Sequence, residues 1–181
     1  NDQDRTIIGK PIPDFIYSLN VNLYYGNFDL NMYWYGSQNV DVFNAQLSGI
    51  ECFVSQDINH NKTVAYSQNY YREDRPSNEY LRADLYNVNE NDRMSTWWLE
   101  DASFLRLKDI QLGYSLPGSI ARSMGMSKAR IYVSGVNLLT VTDYKGRDPE
   151  APTSGRPMGI GTDGGSYPLP RIMTAGIQVN F

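Results

Sequence analysis

Phe15-Ile16-Tyr17-Ser18-Leu19-Asn20-Val21-Asn22-Leu23-Tyr24-Tyr25, followed by Gly26-Asn27 and then Phe28-Asp29-Leu30-Asn31-Met32-Tyr33-Trp34-Tyr35, is the stretch whose reading decides the fold. In the first run Phe15, Tyr17, Leu19, Val21, Leu23 and Tyr25 share one parity, against Ile16, Ser18, Asn20, Asn22 and Tyr24. In the second, Phe28, Leu30, Met32 and Trp34 share one parity, and Asp29, Asn31, Tyr33, Tyr35 and Ser37 the other. Strand side chains alternate sides, so each run has one apolar and one polar face. A two-residue Gly-Asn connection between such runs predicts a β-hairpin. Each run is about ten residues long, the length of a tilted strand crossing a bilayer.

Further runs extend the pattern. Near the middle of the chain, Ile110, Leu112, Tyr114 and Leu116 alternate with Asp109, Gln111, Gly113 and Ser115. The preceding Leu105-Arg106-Leu107-Lys108 has the opposite phase, so a bulge or an interface crossing is expected near Lys108. Pro117 to Gly125 reads as a compact connector of one or two helical turns. Ala129, Ile131 and Val133 alternate with Arg130, Tyr132 and Ser134 in a run reaching Leu139, whose phase blurs after Gly135. The last run, Arg171 to Phe181, puts Met173, Ala175, Ile177, Val179 and Phe181 on one face.

Connections alternate between short and long. The region 38–102 is a loop of roughly 65 residues and 141–170 a Gly- and Pro-rich loop of roughly 30, far above the usual connection length. Short turns on one side and long loops on the other are the signature of an outer-membrane barrel, with short periplasmic turns and long extracellular loops. On that reading Tyr24, Tyr25, Phe28, Tyr114 and Phe181 fall at the inner interface, and Trp34, Tyr35, Trp97, Trp98 and Phe104 at the outer one. The alternative is a secreted β-sandwich, a carbohydrate-binding module whose core is made of the same apolar faces. Five strands are too few to close around a bore, and open edges in lipid leave backbone groups unsatisfied. The 181 residues are therefore expected to be part of a larger barrel, or to be completed by separate chains.

Composition narrows the function. Hydrophobic residues make up 41 % of the 181 and aromatic residues 13 %, with 14 Tyr, and the formal net charge is -4. This mild acidity argues against a nucleic-acid partner, which calls for a clustered basic face. The mean hydropathy is -0.48, and no apolar run approaches the about 18 residues of a membrane-spanning helix. Membrane strands leave no trace on such a scale, because polar and apolar positions average out. With one Cys (Cys52) and one His (His60), no intrachain disulfide can form, and a catalytic triad or zinc site would depend on two residues that sit in no motif. No catalytic residue, cofactor or metal site is assigned, and the protein is read as a non-enzyme. An acidic dyad drawn from Asp143, Asp148 and Glu150 has no supporting spacing. Asn1-Asp2-Gln3-Asp4-Arg5 lacks the basic-then-apolar order of a signal peptide, which fits a processed chain or a piece of a longer one.

Trp98-Leu99-Glu100-Asp101-Ala102-Ser103-Phe104-Leu105-Arg106-Leu107-Lys108-Asp109-Ile110, continuing to Leu112-Gly113-Tyr114-Ser115-Leu116-Pro117, resembles the C-terminal barrel region of SusC-type TonB-dependent outer-membrane transporters of Bacteroidota. Arg130 to Thr140 looks like the next strand of that family. Tyr144, Gly146, Asp148-Pro149-Glu150 and Gly165-Ser166-Tyr167-Pro168-Leu169-Pro170-Arg171 follow at its spacing, and Asp4 to Gly9 and Pro13-Asp14-Phe15 match near the start. The likeness covers nearly all the chain and is weakest from about Ile50 to Ser95. It implies an all-β fold, the last five or so antiparallel strands of a transmembrane barrel of about 22 strands. It also implies residence in the outer membrane, a SusD-type surface lipoprotein as lid, and import of oligosaccharide or peptide fragments. TonB would act through a plug region that does not occur in these residues.

Candidate sites follow from chemistry. Aromatic faces stack on sugar rings and their polar tips add hydrogen bonds, so Tyr70, Tyr71, Trp97 and Trp98 are candidates for substrate or lid contact among the loop aromatics, which also include Tyr66, Tyr80 and Tyr86. Tyr33 and Tyr35 are candidates from the polar strand face. A terminal aromatic after an alternating strand makes Phe181 a candidate barrel-assembly signal. Gly159-Ile160-Gly161-Thr162-Asp163-Gly164 fits a dinucleotide fingerprint but lacks its strand-then-helix context, and is read as a flexible outer loop. Asp57, Asn59 and Asn61 start like a calcium loop, but Lys62 and Gln68 stand where the turn Gly and the bidentate Glu belong.

Overall fold

A computed structural model describes residues 5–52, 61–84, 86, 88, 90–91, 93–150 and 159–181. The calcium-loop residues Asp57 and Asn59, and His60, lie outside them. The chain divides into two units. The first takes in 1–12, 40–102 and 144–167, and the second 13–39, 103–143 and 168–181.

The second unit is one antiparallel sheet. Its strands are β1 (Phe15–Tyr25), β2 (Phe28–Gln38), β5 (Phe104–Ser115), β6 (Lys128–Thr142) and β8 (Ile172–Asn180), side by side in that order. Its helix, α3 (Gly118–Ser123), is the short connector expected between β5 and β6. Gly26 takes a positive φ of 58° at the hairpin tip, a backbone conformation that most side chains disfavour and glycine adopts freely. Register keeps the apolar parity together across all five strands. Val21 pairs with Met32, Met32 with Ile110, Leu112 with Val133, and Val133 with Ala175. Leu19, Leu23, Leu112, Ile131, Val133 and Ile177 are all exposed. In a sandwich these positions would be covered by a second sheet, and the second unit contains none.

The phase break at Lys108 is a bulge. Pairing with β2 steps from Tyr33–Asp109 to Trp34–Leu107, and pairing with β6 steps from Asp109–Val136 to Leu107–Leu139. Lys108 is the extra residue, and its ammonium lies 5.5 Å from the centre of the Tyr35 ring. The bulge therefore keeps Leu105 and Leu107 in the apolar face and carries the charge to the polar one. On β6 the same irregularity takes up Asn137, at a φ of 55°, and Leu138. This accounts for the blurred alternation after Gly135, and β6 runs on to Thr142, beyond Leu139.

The polar face carries its own cross-links. Arg130 of β6 reaches across β5 to Asp29 of β2, its Nε 2.9 Å from Oδ1 and its Nη2 on Oδ2, and Nη2 also donates to Gln111 at 2.9 Å. Gly113 lies beneath that bridge, and a Cβ there would run into the guanidinium.

The aromatic placement divides differently from the girdle read from sequence. Phe28 and Tyr114 do pair on the apolar face near the hairpin tip, with ring centres 4.8 Å apart. Tyr24 shares the polar parity, opposite Asp29. Tyr35 and Phe104 also belong to the polar face, with ring centres 5.9 Å apart. The register decides this, because both are in phase with Ser37 and Arg106.

Met32 sits near mid-strand on the apolar face and Asn20 on the polar one. In the complete protein Met32→Arg is expected to destabilise folding into lipid vesicles by about 2–4 kcal/mol. Asn20→Arg is expected to have little effect. Denaturant titration in vesicles measures both, and equal effects would reverse the faces.

Candidate functional site

The first unit has secondary structure and small cores of its own. β3 (Asp41–Asn44) pairs antiparallel with β4 (Leu99–Asp101) and parallel with β7 (Thr162–Asp163). Two short helices, α1 (Ala45–Glu51) and α2 (Val64–Asn69), are capped by side chains. Asn44 Oδ1 accepts from the Leu47 amide at 2.8 Å, and Thr63 Oγ1 from the Tyr66 amide at 3.1 Å. The Asp41 amide donates to the Lys10 carbonyl at 2.8 Å and the Lys10 amide to Asp41 Oδ2 at 3.0 Å, which ties the early segment to β3. One small core joins Val42, Ala102 and Tyr144, and a second joins Cys52 and Trp98 with Phe43, Leu47 and Leu81.

The glycine-rich stretch at 159–164 is not the flexible loop its composition predicts. It contains β7, and Asp163 is buried. The Tyr144 hydroxyl donates to Asp163 Oδ2 at 2.7 Å, and the Gly165 amide to Oδ1 at 2.7 Å. These bonds hold a sequence that has no intrinsic order.

An open pocket of about 420 Å³ lies in this unit, lined by Tyr71, Ser77, Asn78, Tyr80, Leu81, Arg82, Asn91 and Trp97. A second hollow of about 340 Å³ shares Leu81, Asn91 and Trp97 and adds Glu90, Arg93 and Ser95. Both volumes fall in the range of small-ligand sites, roughly 300–1,000 Å³. Leu81, Asn91 and Trp97 therefore line both hollows.

The orientation of Trp97 follows from its neighbour. Thr96–Trp98 is a single 3-10 turn. Trp98 is 1 % exposed in the Cys52 core, and its indole N–H donates to the Asn91 carbonyl at 3.0 Å. With Trp98 pinned inward, Trp97 is left 46 % exposed. The remaining wall is equally tied. The Ser77 hydroxyl accepts from the Tyr80 amide at 3.1 Å, the Tyr71 amide donates to the Leu81 carbonyl at 3.3 Å, and Tyr66 packs edge-on to Tyr80 and stacks on Tyr70.

The candidate residues thus separate. Tyr71 and Trp97 line the pocket together, and Tyr70 supports it through Tyr66. Trp98 is a correction: burial leaves it no face for a substrate, a lid or an interface girdle, and it serves as the anchor of the turn. Tyr33 and Tyr35 stand on the polar sheet face of the second unit, and Phe181 is 93 % exposed after β8. Asn78, Arg82 and Asn91 went unnoticed in the sequence, where no spacing links them to an aromatic residue. Among the described residues no group of acidic, His and Cys side chains is placed to hold a metal.

Burial pushes the Tyr66 phenol up to about 12, with lesser contributions from Cys52 and Glu51. Burial also raises Tyr144, aided by its hydrogen bond to Asp163.

The single sheet with one apolar and one polar face belongs to the class of outer-membrane β-barrels. The comparisons point the same way: along almost its whole length the chain is similar to a stretch of TonB-dependent receptors, SusC among them. It is 36 % identical to TonB-dependent receptor P3 of Formosa agariphila over 98 % of its own length and 17 % of that protein. It is 28 % identical to TonB-dependent receptor SusC of Bacteroides thetaiotaomicron, covering 98 % of the chain and 16 % of SusC. A solved structure of the RagAB peptide transporter superposes with a TM-score of 0.78 at 26 % identity, covering 96 % of this chain and 18 % of that one. The chain thus spans less than a fifth of the relatives it matches. No family model matches it. Proteins of this type are outer-membrane barrels, so the apolar face meets lipid and the polar face the bore.

Two phenylalanine variants separate the roles of the buried phenols. Tyr66 is neutral in the fold, with its affinity for the proton raised. Its contribution to stability is fully present below pH 10, the ordinary phenol value, and is lost as pH rises toward about 12. The difference in tyrosinate absorbance between the wild type and Tyr66→Phe is expected to titrate near 12. A midpoint at 10 would mean that Tyr66 is solvated. The Tyr66 hydroxyl has no hydrogen-bond partner among the described residues, so Tyr66→Phe should be neutral or mildly stabilising at pH 7 by thermal unfolding. Tyr144→Phe leaves an Asp163 oxygen without its donor and should cost about 1–3 kcal/mol.

Proposed function

We propose that this chain forms wall and outer loops of an importer of nutrient oligomers, glycan or peptide fragments. The observation that carries the reading is the five-stranded sheet with a lipid-compatible face, in a chain similar to SusC-type receptors along almost its whole length. The work is passage, with no bond made or broken. The wall supplies a shell whose backbone groups are hydrogen-bonded to one another. The regions 38–102 and 141–170 act outside the cell, meeting substrate and a SusD-type lipoprotein lid, and TonB supplies energy through the plug. The aromatic pocket at Trp97 supports substrate contact by the loops. Tyr33 and Tyr35 contribute hydroxyls to the bore, and Phe181 serves barrel assembly.

In the producing cell, uptake of labelled oligosaccharide or peptide fragments is expected to stop when the complete receptor is deleted, and equally when TonB is removed. Uptake that persists without TonB would overturn the reading. Phe181→Ser should lower the amount of receptor in the outer membrane, measured by surface labelling, and an unchanged level would remove that role.

A further inference from the structure

The pocket at Trp97 contains more chemistry than substrate contact in general requires. Its aromatic elements, Tyr71, Tyr80 and Trp97, share the wall with the amides of Asn78 and Asn91 and the hydroxyl of Ser77. Sugars present this same mixture, an apolar ring face edged by hydroxyls. The two hollows share Leu81, Asn91 and Trp97, so a ligand of more than one ring can reach both past the same indole.

Peptide capture by strand addition needs a run of free backbone edge. Here the bridge between the two walls is the isolated pair Tyr71–Arg82, and the Tyr71 amide is already committed to Leu81.

Charge distinguishes the lobes. In the second, Arg93 is paired with Glu90. Among the described residues Arg82 is the one charged residue lining the first, is exposed, and has no carboxylate partner. A guanidinium in that position is a ready bidentate partner for a carboxylate or sulfate.

We propose that this pocket binds an oligosaccharide bearing acidic substituents, with a sugar ring on Trp97 and an acid group at Arg82. The inference rests on the importer reading and deepens it by naming the substrate class. The preorganised turn lowers the cost of binding: with Trp98 buried, the backbone that carries Trp97 is set before any ligand arrives.

The test uses the complete receptor in detergent, on an array of neutral, uronate-bearing and sulfate-bearing oligosaccharides and acidic peptides. Acidic oligosaccharides are expected to be retained over their neutral counterparts. Trp97→Ala should weaken retention about tenfold or more, with Trp97→Phe recovering part of it. Arg82→Gln should abolish the preference for acidic over neutral sugars, while Arg82→Lys keeps some of it. Equal retention of neutral and acidic sugars, unchanged by Arg82→Gln, would overturn the acid assignment. Retention of acidic peptides in place of sugars would overturn the carbohydrate assignment. Binding indifferent to Trp97 and Arg82, or no binding on the array, would overturn the site. Uptake measured on the same variants reports separately on import: a receptor that binds acidic sugars through this pocket and does not transport them defeats the importer reading alone.

Discussion

Backbone hydrogen bonding without water is the constraint from which the rest of the structure descends. In hydrocarbon every amide and carbonyl of a strand must find a partner on a neighbouring strand, so each strand is held at the register of the next. Side chains alternate strictly, and a slip of one residue would turn a whole apolar set into the bore. The continuous parity from Val21 through Met32, Ile110, Leu112 and Val133 to Ala175 is the result of obeying that rule four times in succession. The Arg130–Asp29 bridge adds a second lock on the opposite face, because it spans two strand intervals and a register change would break it.

The Lys108 bulge shows how a sequence that violates strict alternation still satisfies it. Leu107 and Ile110 are three apart, an odd spacing that would place one of them in the bore. An extra residue restores the phase, and that residue is a cation aimed at an aromatic ring on the polar side. The neighbouring strand absorbs the mismatch at Asn137, a residue type that tolerates the left-handed conformation it adopts. A bulge, a positive φ and a misplaced lysine are thus one event seen from two strands.

The wall was legible in the sequence because its information is local: period two, a Gly-Asn turn, and a phase break at a single lysine. The first unit was not, for a physical reason. Its strands are two to four residues long and its helices six or seven, too short for any periodicity to build up. Its stability comes from partners far apart in the chain, such as β3 with β7 and Tyr144 with Asp163. Adjacent tryptophans illustrate the limit. Trp97 and Trp98 look equivalent in sequence, and only Cys52, Phe43, Leu47 and Leu81 decide which of the two turns inward.

That difference in how information is stored bears on how the two units can vary. In the wall, almost any apolar residue serves at an apolar position, because lipid asks only for hydrophobicity and the register does the rest. In the first unit a few buried contacts hold every exposed residue in place, so the lining can change while the frame persists. The side chains of Arg82, Asn78 and Asn91 line the pocket and belong to neither buried core, whereas Trp98, Tyr66 and Asp163 are buried and anchor the frame. Substitutions in the pocket lining therefore leave the buried contacts of the first unit and the strands of the wall as they are.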